Sequence, residues 1–110
     1  MDAIGQPNLS AALDRLWVQF LPQMEERVAT LESSAVAFAT GQLSPEQQKA
    51  ANIAAHKLAG VLGTFGLTQG TILSRELEVL YSRESGLDSA LAGRFAEIAA
   101  QLRALIQNRK

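Results

Sequence analysis

The sequence predicts an all-α protein: an antiparallel up-down four-helix bundle with an additional short N-terminal helix. No segment alternates apolar and polar residues as a half-buried β-strand does, and alanine and leucine dominate the chain. Apolar residues instead recur at helical spacing, in segments joined by short connections that favour antiparallel packing. The length of 110 residues allows one hydrophobic core, so residues 1–110 are predicted to form a single domain.

The chain before Gly41 is predicted to contain a flexible tail over residues 1–7 and then two helices. The first helix runs over about residues 8–20 and places one apolar face inward: Leu9, Leu13, Leu16, Trp17 and Phe20. Pro22 suits the first turn of a second helix, where the missing N–H of proline costs no hydrogen bond. This second helix ends at Gly41 and carries its own apolar stripe: Met24, Val28, Leu31, Ala35 and Phe38.

The third helix, over about residues 44–65, has the clearest start signal in the chain. Ser44 can accept a hydrogen bond as the N-cap, Pro45 fits the first helical position, and Gln47 completes a capping box. Gly66 suits the left-handed residue that follows the end of a helix.

The last two helices are indicated by two further apolar stripes. The fourth helix spans about residues 68–83, stops near Gly86, and turns three leucines inward: Leu73, Leu77 and Leu80. Asp88 or its neighbour begins the fifth helix. The inward residues of the fifth helix are Leu91, Phe95, Ile98, Leu102 and Leu105.

Composition argues against several classes of function. Ten basic and eleven acidic residues are scattered along the chain, so no basic face indicates nucleic-acid binding. No apolar run is long enough for a membrane span, and the N-terminus lacks the basic and apolar regions of a signal peptide. The absence of cysteine excludes disulfides and thiolate ligands, and a single histidine argues against a structural zinc site. We therefore expect a cytoplasmic protein that binds no metal, membrane or nucleic acid.

His56, the single histidine, is predicted to point to solvent from the third helix. An apolar stripe lies opposite it at helical spacing: Ala54, Leu58, Val61 and Phe65. Four small or short residues fall within about 60° of the His56 direction: Asn52, Ala59, Gly60 and Gly63. A glycine inside a helix costs roughly 1 kcal/mol relative to alanine, so an ordinary solvated face would not favour two of them. We interpret these four residues as a partner-docking surface around His56. The alternative for the two glycines is close packing between helices of the bundle.

The residues in and after this helix resemble the motif of the histidine-containing phosphotransfer (HPt) domain. The matching residues are His56, Leu58, Gly60, Phe65, Gly66, Leu77 and Glu78. The chain departs from the motif at two positions. Ala59 stands where the family usually has a basic residue, and Gly70 stands where it usually has an apolar one.

The resemblance implies a phosphorelay intermediate with His56 as the phosphoacceptor nucleophile. His56 would accept a phosphoryl group from a receiver-domain aspartate, or from a histidine kinase relay, and pass it to another receiver. Mg²⁺ is then expected in the partner response-regulator receiver, with no cofactor bound by this chain. Glu78 matches a family position that helps frame the site from the neighbouring helix. No glycine-rich phosphate loop or Walker lysine is present in the sequence, so we expect no kinase activity of its own.

Two questions stay open at the level of sequence. Lys57 is a candidate for the missing basic residue, because its flexible stem can swing towards a phosphate on His56. Lys49 lies about 10.5 Å from His56 along the helix, so a solvated side chain is the preferred interpretation there. The expected partners are response-regulator receiver domains, with a hybrid histidine kinase as a further candidate. The functional alternative is a non-catalytic docking module that binds a receiver or another signalling partner without carrying phosphate. The Ala59 departure supports that alternative.

Overall fold

The computed structural model describes residues 5–83 and 87–109, with side chains described from Leu9 onward. The described residues form four α-helices and one 3₁₀ turn, and they contain no strand. The elements are α1 (Gly5–Ala39), α2 (Pro45–Thr64), α3 (Thr68–Tyr81), the 3₁₀ turn (Ser89–Leu91) and α4 (Ala92–Asn108). The predicted all-α bundle is therefore confirmed.

The two helices expected before Gly41 form one continuous helix, α1, with Pro22 inside it. Proline removes one helical hydrogen bond and leaves the carbonyl four residues earlier, at Val18, without its partner. Val18 is 69% exposed and Pro22 is also exposed, so the freed carbonyl lies on the solvent side of the helix. Water can satisfy a carbonyl at that position, which is why the break predicted at Pro22 is wrong.

The N-terminal part of α1 extends beyond the rest of the bundle. Its 35 residues correspond to about 52 Å, compared with about 30 Å for α2, and the molecule measures 58 × 21 × 19 Å. From Leu9 onward, the first buried side chain of α1 is Trp17, whereas the predicted inward residues Leu9 and Leu16 are 62% and 40% exposed. Of the predicted tail, residues 5–7 are helical, and residues 1–4 lie outside the described residues.

The predicted start and stop signals of α2 are present in the structure. The hydroxyl of Ser44 accepts from the backbone N–H of Gln47, and the Gln47 side chain accepts from the N–H of Ser44, which completes the capping box. Gly66 has a φ of 74°, the left-handed conformation that favours glycine after a helix. Asp88 caps the 3₁₀ turn before α4 by accepting from the N–H of Ala90. The predicted stop near Gly86 lies outside the described residues, and α3 ends at Tyr81.

The core lies between the four helices, with α2 packed against both α3 and α1, and α4 against α1 and α3. Two arginines of α4 reach neighbouring helices through paired hydrogen bonds. Arg94 donates to both carboxylate oxygens of Glu76 in α3, and Arg103 donates to both of Glu32 in α1. These hydrogen bonds hold the pKa of each glutamate below its usual value. Charged side chains therefore join α4 to α3 and α1 at the rim of the core.

Candidate functional site

His56 projects from the middle of α2 into solvent, with 68% of its side chain exposed. Its Nδ1 lies 2.7 Å from Oε2 of Glu78, in α3. A carboxylate accepts hydrogen bonds and donates none, so Nδ1–H of His56 donates to Glu78. The proton at Nδ1 leaves the lone pair of Nε2 unprotonated in the neutral ring. The arrangement thus presents a nucleophilic nitrogen on an exposed imidazole that a second helix orients.

Two side-chain amides of α2 hold the end of α3, and the bond from Asn52 is made to Glu78 itself. Asn52, one turn before His56, donates from Nδ2 to the backbone carbonyl of Glu78 at 2.7 Å. Gln48, one turn earlier still, donates from Nε2 to the carbonyls of Tyr81 at 3.0 Å and Arg83 at 2.8 Å. These amides bond carbonyls in the last turn of α3 and just after it. Gln48 was not predicted from the sequence, although its spacing of four residues from Asn52 and eight from His56 places it on the same side of α2.

Ala59 does not belong to the exposed surface around His56, which corrects the sequence prediction. Its side chain is 1% exposed, and its carbonyl accepts a hydrogen bond from the Thr71 hydroxyl of α3 at 3.2 Å. The prediction assumed a single buried stripe opposite His56. Because α2 packs against both α1 and α3, its buried arc is wider and extends round to Ala59.

The other three residues of the predicted docking surface differ in their surroundings. Asn52 is half-buried and is held by its bond to Glu78, so it supports the site from the α3 side. Gly63 is exposed but lies beside α3, and a β-carbon at this position would be 3.3 Å from the Thr71 hydroxyl. Gly60 is exposed, and apart from its chain neighbours and the backbone of its own helix no described atom would lie within 4 Å of a β-carbon there. Gly60 is therefore the member that leaves open space beside His56.

An open groove runs between α1 and α2 along the side of His56 away from α3. The described residues that line it are Phe20, Gln23, Arg27, His56, Lys57, Gly60, Val61, Thr64 and Phe65. Lys57 is exposed and shares this groove with His56, as its predicted role requires. Lys49 lines a different groove, with Gln48 and the residues after α3. Arg27 was not identified from the sequence, because the periodicity of one helix does not show which residues of another helix face it.

The family model for the Hpt domain matches residues 15–109. The chain belongs to the HPt-domain family. Protein RcaC of Microchaete diplosiphon is 40% identical to this HPt domain over 74 residues, which are 67% of this chain and 11% of that protein. The chain therefore spans only a small part of the length of this relative. No solved structure gives a significant match to the chain.

Membership of the family identifies the chain as a phosphorelay module of the two-component type, since HPt domains act with receiver domains. Within residues 5–83 and 87–109, no helix is both long and apolar enough to cross a membrane. The same residues contain no group of three or more histidine, cysteine, aspartate or glutamate side chains arranged to hold a metal ion.

Proposed function

We propose that this HPt domain carries a phosphoryl group on Nε2 of His56, between the aspartates of two receiver domains. The observation that carries the proposal is the hydrogen bond between Nδ1 of the exposed His56 and Glu78. It directs the nucleophilic lone pair to Nε2 and holds the ring in one orientation. Phosphoryl transfer depends on positioning and electrostatics more than on covalent machinery, so one oriented histidine is sufficient.

The proposed reaction conserves the proton on the imidazole. Nε2 attacks the phosphorus of an aspartyl phosphate, the bond from phosphorus to the aspartate oxygen breaks, and the carboxylate leaves. The ring, which keeps its proton at Nδ1, then carries a positive charge that the Glu78 carboxylate stabilises. Transfer to the next receiver is the reverse step. Mg²⁺ is proposed to belong to the receiver, and the proposed setting is the cytoplasm.

Lys57 and Gly60 have distinct proposed roles beside His56. Lys57 makes no ion pair among the described residues and shares the groove with His56, so its ammonium is available to the phosphoryl group. Gly60 leaves the space that a receiver needs to approach Nε2. A histidine kinase relay is the other candidate donor. The roles of Lys57 and Gly60 do not depend on the buried residue Ala59.

The test is the entry of labelled phosphate from a phosphorylated receiver. We expect wild-type protein to acquire an acid-labile, base-stable label, as a phosphoramidate does, and His56→Gln to acquire none while keeping its helical circular-dichroism spectrum. Glu78→Gln retains a hydrogen-bond acceptor without the charge and should be labelled more slowly. Label retained in His56→Gln, or an acid-stable label, would contradict phosphotransfer at this residue.

A non-catalytic docking module is the second candidate function. The observation that favours it is the buried Ala59 at the position where the family usually has a basic residue. Such a module would bind a receiver with the wild-type protein remaining unlabelled. The same labelling experiment, combined with a binding measurement such as calorimetry, therefore distinguishes the two functions.

A further inference from the structure

The charged side chains that line the groove beside His56 are all basic. Its described lining residues include two cations, Arg27 from α1 and Lys57 from α2, and no acidic side chain. Arg27 makes no ion pair or hydrogen bond through its side chain among the described residues. By contrast, Arg94 and Arg103 of α4 are both bound to glutamates. On the α1 side of His56, the guanidinium of Arg27 is therefore available to bind an anion.

The His56–Glu78 hydrogen bond separates the two sides of the imidazole. Glu78 approaches Nδ1 from α3, whereas the groove lies between α1 and α2. A phosphoryl group on Nε2 would be repelled by the Glu78 carboxylate and attracted by cations on the other side of the ring. The electrostatics therefore favour a phosphoryl group that lies towards the groove.

We propose that Arg27 binds the phosphoryl group carried on His56, from α1 and across the groove. This inference rests on the proposed function and adds a phosphate-binding residue from a different helix. Arg27 is half-buried, so its stem is already partly ordered, whereas Lys57 is exposed and solvated. The planar guanidinium donates two parallel hydrogen bonds to phosphoryl oxygens, and an ammonium acts as a point charge. Arg27 is thus the principal cation of the phosphorylated site and Lys57 the secondary one.

The test uses protein phosphorylated on His56 by phosphoramidate. In that reaction Nε2 attacks phosphorus and the phosphorus–nitrogen bond of the donor breaks. The donor nitrogen, already protonated, leaves as neutral ammonia, and the imidazole keeps its proton at Nδ1. The pKa of the attached phosphoryl group is then measured by ³¹P NMR titration. The variants are Arg27→Gln, which keeps a polar side chain without charge, and Arg27→Lys, which restores the charge. Arg15→Gln is the matched control, because Arg15 is an exposed arginine of α1 outside the groove.

Removal of a nearby cation disfavours the dianion, so Arg27→Gln should raise the pKa of the phosphoryl group. Loss of an ion pair of the strength usual at a protein surface should raise this pKa by about 0.5, which is about a threefold change in the ionisation constant. Arg27→Lys should recover most of the wild-type value, and Arg15→Gln should match wild type. Equal values for Arg27→Gln and Arg15→Gln would overturn the assignment.

A measurement on the wild-type protein covers the case in which Arg27→Gln fails to fold. The ¹⁵N-¹H signal of the Arg27 side chain should move on phosphorylation, and an unchanged signal counts against the inference. If neither phosphoramidate nor a phosphorylated receiver labels His56, the proposed function fails and this inference falls with it. If His56 is labelled and Arg27 does not respond, only the role of Arg27 is wrong.

Discussion

The side chain of Leu62 in α2 fills the space beside Gly70 in α3, where a β-carbon would lie 2.7 Å from Cδ1 of Leu62. Both residues are buried in the interface between these helices. The close approach gives a physical reason for the glycine at a position where the HPt motif usually has an apolar side chain. The helix that carries Glu78 is thereby packed directly against the helix that carries His56.

Gly70→Ala should therefore destabilise the fold. Overpacking a buried site costs about 1–3 kcal/mol, and the higher helix propensity of alanine returns roughly 1 kcal/mol, so we expect a net loss of about 1 kcal/mol. Gly60→Ala is the matched control, because a β-carbon there contacts no described atom outside its own helix, and it should raise stability by about 0.5–1 kcal/mol. Urea unfolding measures both. A Gly70→Ala variant as stable as Gly60→Ala would show that Leu62 adjusts without cost.

Gly60→Leu should separate stability from partner binding. Its melting temperature should be no lower than that of wild type, since the position is exposed and the helix gains propensity. The new side chain leans over the preceding turn, which carries His56, and should block receiver docking and phosphotransfer. Thermal melts and receiver binding test both halves. Normal transfer in a folded Gly60→Leu variant would mean that this surface is not where the receiver docks.

Asn52→Ala should weaken the interface between α2 and α3 and leave the orientation of the His56 imidazole less fixed. Loss of its hydrogen bond to the Glu78 carbonyl costs about 0.5–1.5 kcal/mol and frees the segment that presents the Glu78 carboxylate. We expect slower transfer and a changed ¹⁵N shift at Nδ1 of His56. Gln48→Ala removes two such bonds at the end of α3, farther from His56, and is the control. If both variants change the Nδ1 shift equally, Asn52 has no specific role in positioning Glu78.

Tyr81 should make the fold sensitive to alkaline pH. Its ring stacks on Phe95 with centroids 4.6 Å apart, and its buried hydroxyl has no hydrogen-bond partner in the described part of the chain. Burial raises the pKa of Tyr81 to about 12. The unfolded-state pKa is about 10, so stability that is complete below pH 10 is lost progressively as the pH rises to about 12.

Tyr81→Phe keeps the ring and removes the ionisable group. The variant should be at least as stable as wild type at neutral pH, because a buried unpaired hydroxyl is disfavoured. It should also lose less stability between pH 10 and pH 12. Denaturant unfolding of both proteins across that range provides the measurement. Identical alkaline profiles would exclude Tyr81 as the responsible group.

The features that could be predicted from the sequence are those determined by a few neighbouring residues. The Ser44 capping box and the left-handed Gly66 depend on local backbone geometry, and both are present. The burial of Ala59 depends on two helices packing against α2, which one helical periodicity does not show. Continuity through Pro22 depends on which face of α1 meets solvent. Arg27 enters the groove of His56 through the pairing of α1 with α2, which is also a tertiary property.

Because α2 packs between α1 and α3, its backbone should open less often than the ends of the bundle. Backbone amides at the exposed beginning of α1 should exchange their hydrogens with solvent through local fraying. Amides around Leu58, whose side chain is fully buried in the middle of α2, should exchange only when the whole bundle opens. The backbone that carries His56 then belongs to the slowest-exchanging segment. The helix that positions the imidazole therefore stays intact for as long as the protein remains folded.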